Sequence, residues 1–207
     1  MRVLDLFCGR KGWSRAFQER GHQVWTVDIK KKFQPTIIGD VANLEPMPSF
    51  DIILASPPCE TFSVASLPTH WHKKNPRTEN AHAAIRLAKR TLWFIERSAP
   101  RFWVLENPAG MMKYAIGPPY CLITLCQYGA KWRKATHLWG QLPPSFPVKH
   151  CARGSPCHES APRGHHGGGV QGVRSPDIRA EMPYGLSLAM CKAAEADLVK
   201  ERPWIWA

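Results

Sequence analysis

The stretch FDIILASPPCETFS, residues 50–63, carries an apolar run into two prolines and then a thiol. Proline fixes φ and restricts the residue before it, so Pro57 and Pro58 narrow the path of the chain where Cys59 is set down. That would aim a nucleophile. A free cysteine is often only a small buried hydrophobe, but the strand-end position and the polar ETFS that follows favour a reactive thiol. A second apolar run, RFWVLEN, ends in Glu106 and Asn107, an acid beside an amide.

Three other strand ends carry groups of a different kind. The first apolar run leads into DLFCGRKGW, with Asp5, Phe7, Cys8, Gly9 and Gly12. QVWTVDI places Asp28 and Ile29 at the end of a second run, and TIIGDV places Asp40 and Val41 at the end of a third. Glycine lets a backbone pass close to a ligand. An acid after the second strand suits the two hydroxyls of a ribose, and one after the third suits an exocyclic amine such as that of adenine. Either acid alone also reads as a helix cap or a turn. Together with the glycine loop they favour an adenosine-containing cofactor. GRKG is neither GxGxxG nor GxxxxGK[ST], which disfavours NAD and a phosphate-cradling loop.

The elements that must hold these residues follow from the apolar pattern. Strands are expected at 2–7, 23–29, 36–40, 51–56, 101–107, 120–129 and 134–140. A short helix should run from about Ser14 to Arg20 and stop at Gly21. After a polar loop, LPTHWHKKNPRTEN, Thr78 or Asn80 can cap a helix whose Ile85, Ala88, Leu92 and Ile95 recur at helical spacing, with Pro100 beyond its end. Alternating strands and helices, with continuous apolar strands, predict an α/β fold with a mostly parallel sheet flanked by helices. In such a sheet ligands bind beyond the carboxyl ends of the strands, where all these groups fall.

The chain has 207 residues, enough for one domain with a sizeable core, and 44% of it is hydrophobic. Its formal net charge of +12 points to a polyanionic partner, nucleic acid first. No apolar run is long enough to span a bilayer, and the N-terminal residues do not read as a signal peptide. Seven cysteines, an odd number, suit a reducing cytoplasm better than a disulfide framework.

DLFCGRKGW, SPPCETFS and VLENPAG, in that order and spacing, resemble three motifs of the cytosine-5 DNA methyltransferases, roughly DLFxGxGG, PPCQxFS and ENV. QYGAKWRKATHLWG resembles their later YGxPQxRxR segment. The resemblance covers about residues 1–140 and, weakly, the closing helix. It implies a Rossmann-like S-adenosylmethionine-dependent methyltransferase fold and a DNA substrate whose cytosine is flipped out or single-stranded. It implies Cys59 as the nucleophile, Glu106 at the base, Asn107 orienting its loop, and Arg133 and Lys134 in place of the arginines. By the same resemblance Asp5, Phe7, Cys8, Gly9, Gly12, Asp28, Ile29, Asp40, Val41 and Pro57 line the cofactor. Ser63, His70, Trp71, His72, Lys73, Lys74 and Arg77 would close over DNA by phosphate contact and stacking, unless they form only a solvated loop.

The sequence departs from the family pattern in three places. Glu60 stands where the family has Gln, the QxRxR glutamine is missing, and residues 141–181 replace a large target-recognition region. The expected organisation is a catalytic core at 1–140, a reduced recognition-like segment at 141–181 and a closing helix at 182–207. So small a segment predicts short or relaxed recognition, or help from a partner. Within it, Cys151, Cys157, His158 and His166 offer zinc ligands at a looser spacing than usual, against the alternative of a flexible His-containing loop. Rival readings are modification of a free cytidine nucleotide or RNA, a non-catalytic nucleic-acid binder, and an amine methyltransferase, which SPPC fits poorly.

Overall fold

The computed structural model describes residues 1–159 and 175–200. First come β1 (Arg2–Leu6), α1 (Arg15–Glu19), β2 (Gln23–Asp28), β3 (Ile37–Ile38) and β4 (Ile52–Ala55). A short helix, α2 (Leu67–His70), and a small hairpin of β5 (Trp71–His72) and β6 (Asn75–Pro76) lead to the long α3 (Glu79–Ser98). β7 (Phe102–Pro108), α4 (Met112–Ile116), β8 (Cys121–Thr124) and β9 (Ala135–Gln141) complete the sheet. α5 (Pro176–Ala180) and α6 (Tyr184–Lys200) follow.

Seven strands form one sheet in the order β3-β2-β1-β4-β7-β9-β8. The five strands from β3 to β7 are parallel, and β9 runs against both its neighbours. The expected α/β architecture is therefore the one that forms. Its apolar strands alternate between two cores. Val3, Ile52, Leu54, Phe102 and Val104 face α1 and α6, while Leu4, Leu6, Ile53, Ala55 and Leu105 face α3. A sheet covered on both faces needs apolar residues at every position, which is why these strands read as unbroken hydrophobic runs.

Thr78 caps α3, its hydroxyl accepting from the Ala81 amide at 3.3 Å, and Ala99 in a left-handed conformation ends the helix just before Pro100. Ala88 and Ile95 of the expected stripe are fully buried, and Thr91, Phe94 and Ser98 complete that face. On the other side α6 docks against α1. The Ser187 hydroxyl accepts from the Ala16 amide at 3.0 Å and donates to the Trp13 carbonyl at 2.5 Å. Gly185 lets the start of α6 also lie against Tyr128, because a Cβ there would stand 2.3 Å from the Tyr128 carbonyl oxygen.

One strand differs from expectation, and two loop regions carry short elements of their own. The strand foreseen at 120–129 stops at Thr124, and Leu125–Tyr128 wind into a 3-10 turn closed by Gly129 at φ 95°. The loop at 67–80 is ordered, because the Trp71 side chain is buried and Arg77 donates to the carbonyls of Thr69 and Pro68. Within 141–181, Ser175-Pro176 start the short α5. Among the described residues no helix is long and apolar enough to cross a membrane.

Candidate active site

From β1 the chain steps outward to β2 and β3, then returns to β4 on the other flank of β1. The ends of β1 and β4 thus border a crevice where strand order reverses, the usual ligand site of such sheets. The turn after β1 is tightly folded, with Phe7, Gly9 and Lys11 all at positive φ (59°, 48° and 61°). For two non-glycine residues this conformation costs on the order of 1 kcal/mol or more each. The turn is held by the Cys8 amide on the Val27 carbonyl at 3.0 Å and the Gly9 amide on Asp28 Oδ2 at 2.9 Å.

Asp28 also accepts from the Lys30 amide through Oδ1 at 2.8 Å, and Asp40 accepts from the Ala42 amide at 2.9 Å. Backbone donors thus fix both carboxylates, and each oxygen keeps a lone pair for a ligand hydroxyl or amine. Beside them Ile29 is 65% exposed, an apolar surface at the lip of a polar crevice that suits a flat ring. Phe7, half-buried, packs against the α3-side core at the end of β1.

Other residues expected at the cofactor have side chains behind this wall. The Asp5 carboxylate is buried and accepts from the Ser14 hydroxyl at 2.6 Å, and burial pushes it up to about 7. Cys8 is buried too, its thiol pushed up to about 12 by burial and then by Asp5 and Asp28, which disfavours its thiolate. Gly12 is required by packing, since a Cβ there would lie 2.7 Å from the Met182 amide nitrogen and carbonyl oxygen. Val41 and Pro57 are buried, and the Pro57 carbonyl accepts from Asn107 Nδ2 at 3.0 Å.

Across the crevice stand Cys59 and Glu106. Asn107, buried on β7, ties that strand to the Pro-Pro-Cys turn through the Pro57 carbonyl. The Cys59 carbonyl accepts from the amides of Phe62 and Ser63 at 3.0 and 3.1 Å. Gly110 lets this turn settle on α4, since a Cβ there would meet the Phe62 carbonyl oxygen at 2.1 Å. Cys59 is a free, partly exposed thiol. Burial raises its pKa first, Glu106 and Glu60 raise it further, and Lys134 opposes them.

Glu106 is 3% exposed, and burial likewise raises its pKa against Lys134 and Ser56. Its Oε2 accepts from the Ser56 hydroxyl at 3.0 Å, and Ser56 in turn accepts from Trp13 Nε1 at 2.8 Å. Its Oε1 has no partner. Among the described residues the buried side-chain polar atoms without a partner are Glu106 Oε1, Asn107 Oδ1, Thr61 Oγ1 and His137 Nδ1. Asn107 and His137 face each other across β7 and β9, and Thr61 follows Cys59 by two residues. Successive side chains on a strand point to opposite faces, so Asn107 and His137 lie on the α3 face of the sheet while Glu106 lies on the other with Ser56 and Trp13. An unpaired buried carboxyl oxygen is costly, so Glu106 Oε1 is the atom that suits a polar ligand beside Cys59.

Sequence reasoning missed Ser56 and Trp13. A serine before the prolines and a tryptophan after the glycine turn gave no sign that they would meet. Lys134 is the positive charge that acts on both Cys59 and Glu106, its Nζ donating to the Arg179 carbonyl at 3.3 Å, whereas Arg133 Nε donates to the Cys151 carbonyl at 3.2 Å. Trp71 is not a stacking platform, because its ring is 2% exposed and its Nε1 donates to the Thr61 carbonyl at 2.7 Å. His70 holds Thr78 and Arg77 holds backbone, which leaves exposed His72, Lys73 and Lys74 at the hairpin tip. Of the expected metal ligands, Cys151, Cys157 and His158 come together with Cys126, which was not foreseen. His166 lies outside the described residues.

The mostly parallel sheet with one reversed strand, and the glycine turn and acids at its strand ends, have the architecture of the Rossmann-like S-adenosylmethionine-dependent methyltransferase fold. A family model described as C-5 cytosine-specific DNA methylase matches residues 1–119, and the chain belongs to that family. The chain is 29% identical over 175 residues to a protein of Frog virus 3 (isolate Goorha) named "Probable DNA (cytosine-5)-methyltransferase", covering 76% of this chain and 78% of that one. It is 30% identical over 125 residues to type II methyltransferase M.NgoFVII of Neisseria gonorrhoeae, covering 54% of this chain and 31% of that one. Over 129 residues it is 26% identical to M.DdeI of Desulfomicrobium norvegicum, covering 54% and 29%. It therefore spans most of the viral relative and about a third of the bacterial ones.

Proposed function

We propose that Cys59 is the covalent nucleophile of a DNA (cytosine-5)-methyltransferase and that Glu106, as a neutral acid, activates the target ring. The observation that carries this is the state of Glu106. It is buried, its pKa is raised, one oxygen is held by Ser56, and the other has no partner. A carboxyl kept neutral in this way donates a proton where a carboxylate cannot.

Carbon 5 of cytosine is a poor nucleophile. When the Cys59 sulfur adds to carbon 6 and Glu106 protonates ring nitrogen 3, carbon 5 becomes enamine-like and able to accept a methyl group. Loss of the carbon 5 proton and departure of Cys59 then restore the ring, so that one hard step becomes several easier ones. S-Adenosylmethionine supplies the electrophilic methyl group when bound. Asp28, Asp40, Ile29 and the Gly9 turn fit its ribose, amine and flat ring.

The thiol must shed its proton before attack, and its pKa is raised in the free protein. Lys134 is the residue that stabilises the thiolate. Glu106 is buried behind the strand ends, and a base stacked in a duplex cannot reach it, so the base arrives flipped out or in a single strand. Exposed His72, Lys73 and Lys74 at the hairpin tip suit phosphate contact. The small 141–181 segment argues for short or relaxed recognition, and seven free cysteines suit a reducing cytoplasm.

The deciding experiment is incubation with S-adenosylmethionine and DNA containing 5-fluorocytosine, whose fluorine cannot leave as a proton. A denaturation-stable adduct mapped to Cys59 is expected. Methyl transfer to ordinary cytosine with no adduct on the fluorinated base would reject this assignment. Running dCMP and RNA in parallel separates the polymer substrate from its rivals.

A further inference from the structure

We propose that Cys126, Cys151, Cys157 and His158 form a structural zinc site that fastens residues 151–159 to the 124–134 strap beside the active site. Their ligand atoms all lie within 4.8 Å of one another. Cys126 Sγ is 3.3 Å from Cys151 Sγ and 3.9 Å from Cys157 Sγ, while His158 Nδ1 is 3.7 Å from Cys151 Sγ and 3.5 Å from Cys157 Sγ. Tetrahedral zinc with its usual bond lengths requires about 3.8 Å between sulfurs and about 3.6 Å between sulfur and nitrogen. Four of the six edges of a coordination tetrahedron are thus within about 0.5 Å of their ideal lengths, and the other two, Cys151–Cys157 and Cys126–His158, are within 4.8 Å. Three sulfurs and one imidazole form a closed donor set that selects zinc over harder cations.

The surroundings match a structural site. The Thr124 hydroxyl lies 3.5 Å from Cys151 Sγ and accepts from the Cys151 amide at 3.0 Å, orienting one ligand. Arg133 on the Cys151 carbonyl brings positive charge to a cluster that three thiolates and Zn²⁺ would leave at −1. The same segment is laid along the strap by the Glu159 amide on the Lys131 carbonyl at 3.0 Å and by the Lys131–Glu159 ion pair at 3.2 Å. Few apolar side chains anchor residues 151–159, and a metal supplies the cross-link that a core would otherwise provide. The other cluster of such groups among the described residues, His22, Cys191 and Glu195, differs: Arg20 already neutralises Glu195 at 2.7 Å.

The strap ends at Lys134, the positive charge that lowers the Cys59 pKa, so the metal would anchor the segment that carries it. The test is elemental analysis of the full chain purified without chelator, with cobalt substitution as the spectroscopic check. Wild type should hold about one zinc per chain, and its cobalt form should show the absorption of tetrahedral thiolate coordination. Cys126→Ser and Cys157→Ser should each retain less than about a tenth of that zinc, whereas Cys121→Ser and His166→Ala should retain it in full. If Cys126→Ser does not fold, a chelator applied to wild type gives the same reading: zinc loss should expose the thiols of Cys126, Cys151 and Cys157 together. Reduced wild type that takes up neither metal, full zinc retention in Cys126→Ser, or a Cys126–Cys151 disulfide in native protein would each overturn the assignment. None of these measurements depends on methyl transfer, so a failed site leaves the catalytic reading untouched.

Discussion

The two walls of the crevice are finished to different degrees. On the β1–β2–β3 side, Asp28 and Asp40 are locked by backbone amides, and the glycine turn is pinned to β2 before any ligand arrives. On the β4–β7 side, Glu106 keeps a buried Oε1 without a partner, and Cys59 and Glu106 both have raised pKa values. A cofactor bound in one geometry every cycle favours a preformed seat. A base that must be bound, attacked and released favours groups whose hydrogen bonding is completed only by the substrate, because energy withheld from the free protein is then available along the reaction.

The sharpest way to break this comparison is at Cys59. Cys59→Ser should lower methyl transfer on the order of 10,000-fold or more and abolish the 5-fluorocytosine adduct, while S-adenosylmethionine still binds. A serine variant that keeps measurable turnover would mean that the unfinished wall is not the reacting one. Next in size is Glu106→Gln, expected to slow single-turnover transfer about 100- to 10,000-fold, the range for loss of a general acid. Its pH signature is specific. The active form needs Glu106 protonated, so wild-type rates should fall as pH rises through the raised Glu106 pKa, and the glutamine variant should lose that fall. An unchanged pH limb in the variant would assign the limb to another group.

The preformed wall should respond in affinity instead of rate. Asp28→Ala should weaken S-adenosylmethionine binding about 10- to 100-fold by calorimetry, the worth of hydrogen bonds to a charged group. At saturating cofactor its turnover should stay within about threefold of wild type. A large loss of turnover at saturation would show that the two walls are not separable.

How far each wall was legible in the sequence follows from the same difference. The acids at 28 and 40 and the thiol at 59 could be read because each directly follows an apolar strand, and strand ends in a parallel sheet converge on one edge. Trp13, Ser56 and Cys126 could not be read. Trp13 and Ser56 meet only because β1 and β4 are neighbours in the sheet, and Cys126 joins Cys151 only because the chain turns at Thr124 instead of continuing as a strand. Trp71 looked like a stacking residue because composition gives its type, while its burial depends on the hairpin of β5 and β6. Local signals locate single groups, and the hydrogen-bonded relays between them belong to the fold.

Asp5 stands between the walls and gives the smallest effect on function. It occupies the strand under the glycine turn, yet its carboxylate serves Ser14 and lies behind the crevice. Asp5→Asn should therefore leave cofactor affinity within about twofold, since the amide oxygen can still accept from Ser14. Its consequence appears in stability. Burial moves this group from 3.8 to about 7, so between those values the folded chain holds a proton that the unfolded chain has released. Stability attached to Asp5 is complete below about pH 4 and declines as pH rises to about 7, by up to roughly 4 kcal/mol. Urea melts from pH 4 to 8 should show this decline in wild type and a shallower one in Asp5→Asn, with Glu106, raised in the same direction, accounting for part of what remains. Equal slopes in the two proteins, or a large drop in cofactor affinity, would move Asp5 out of the framework and into the cofactor seat.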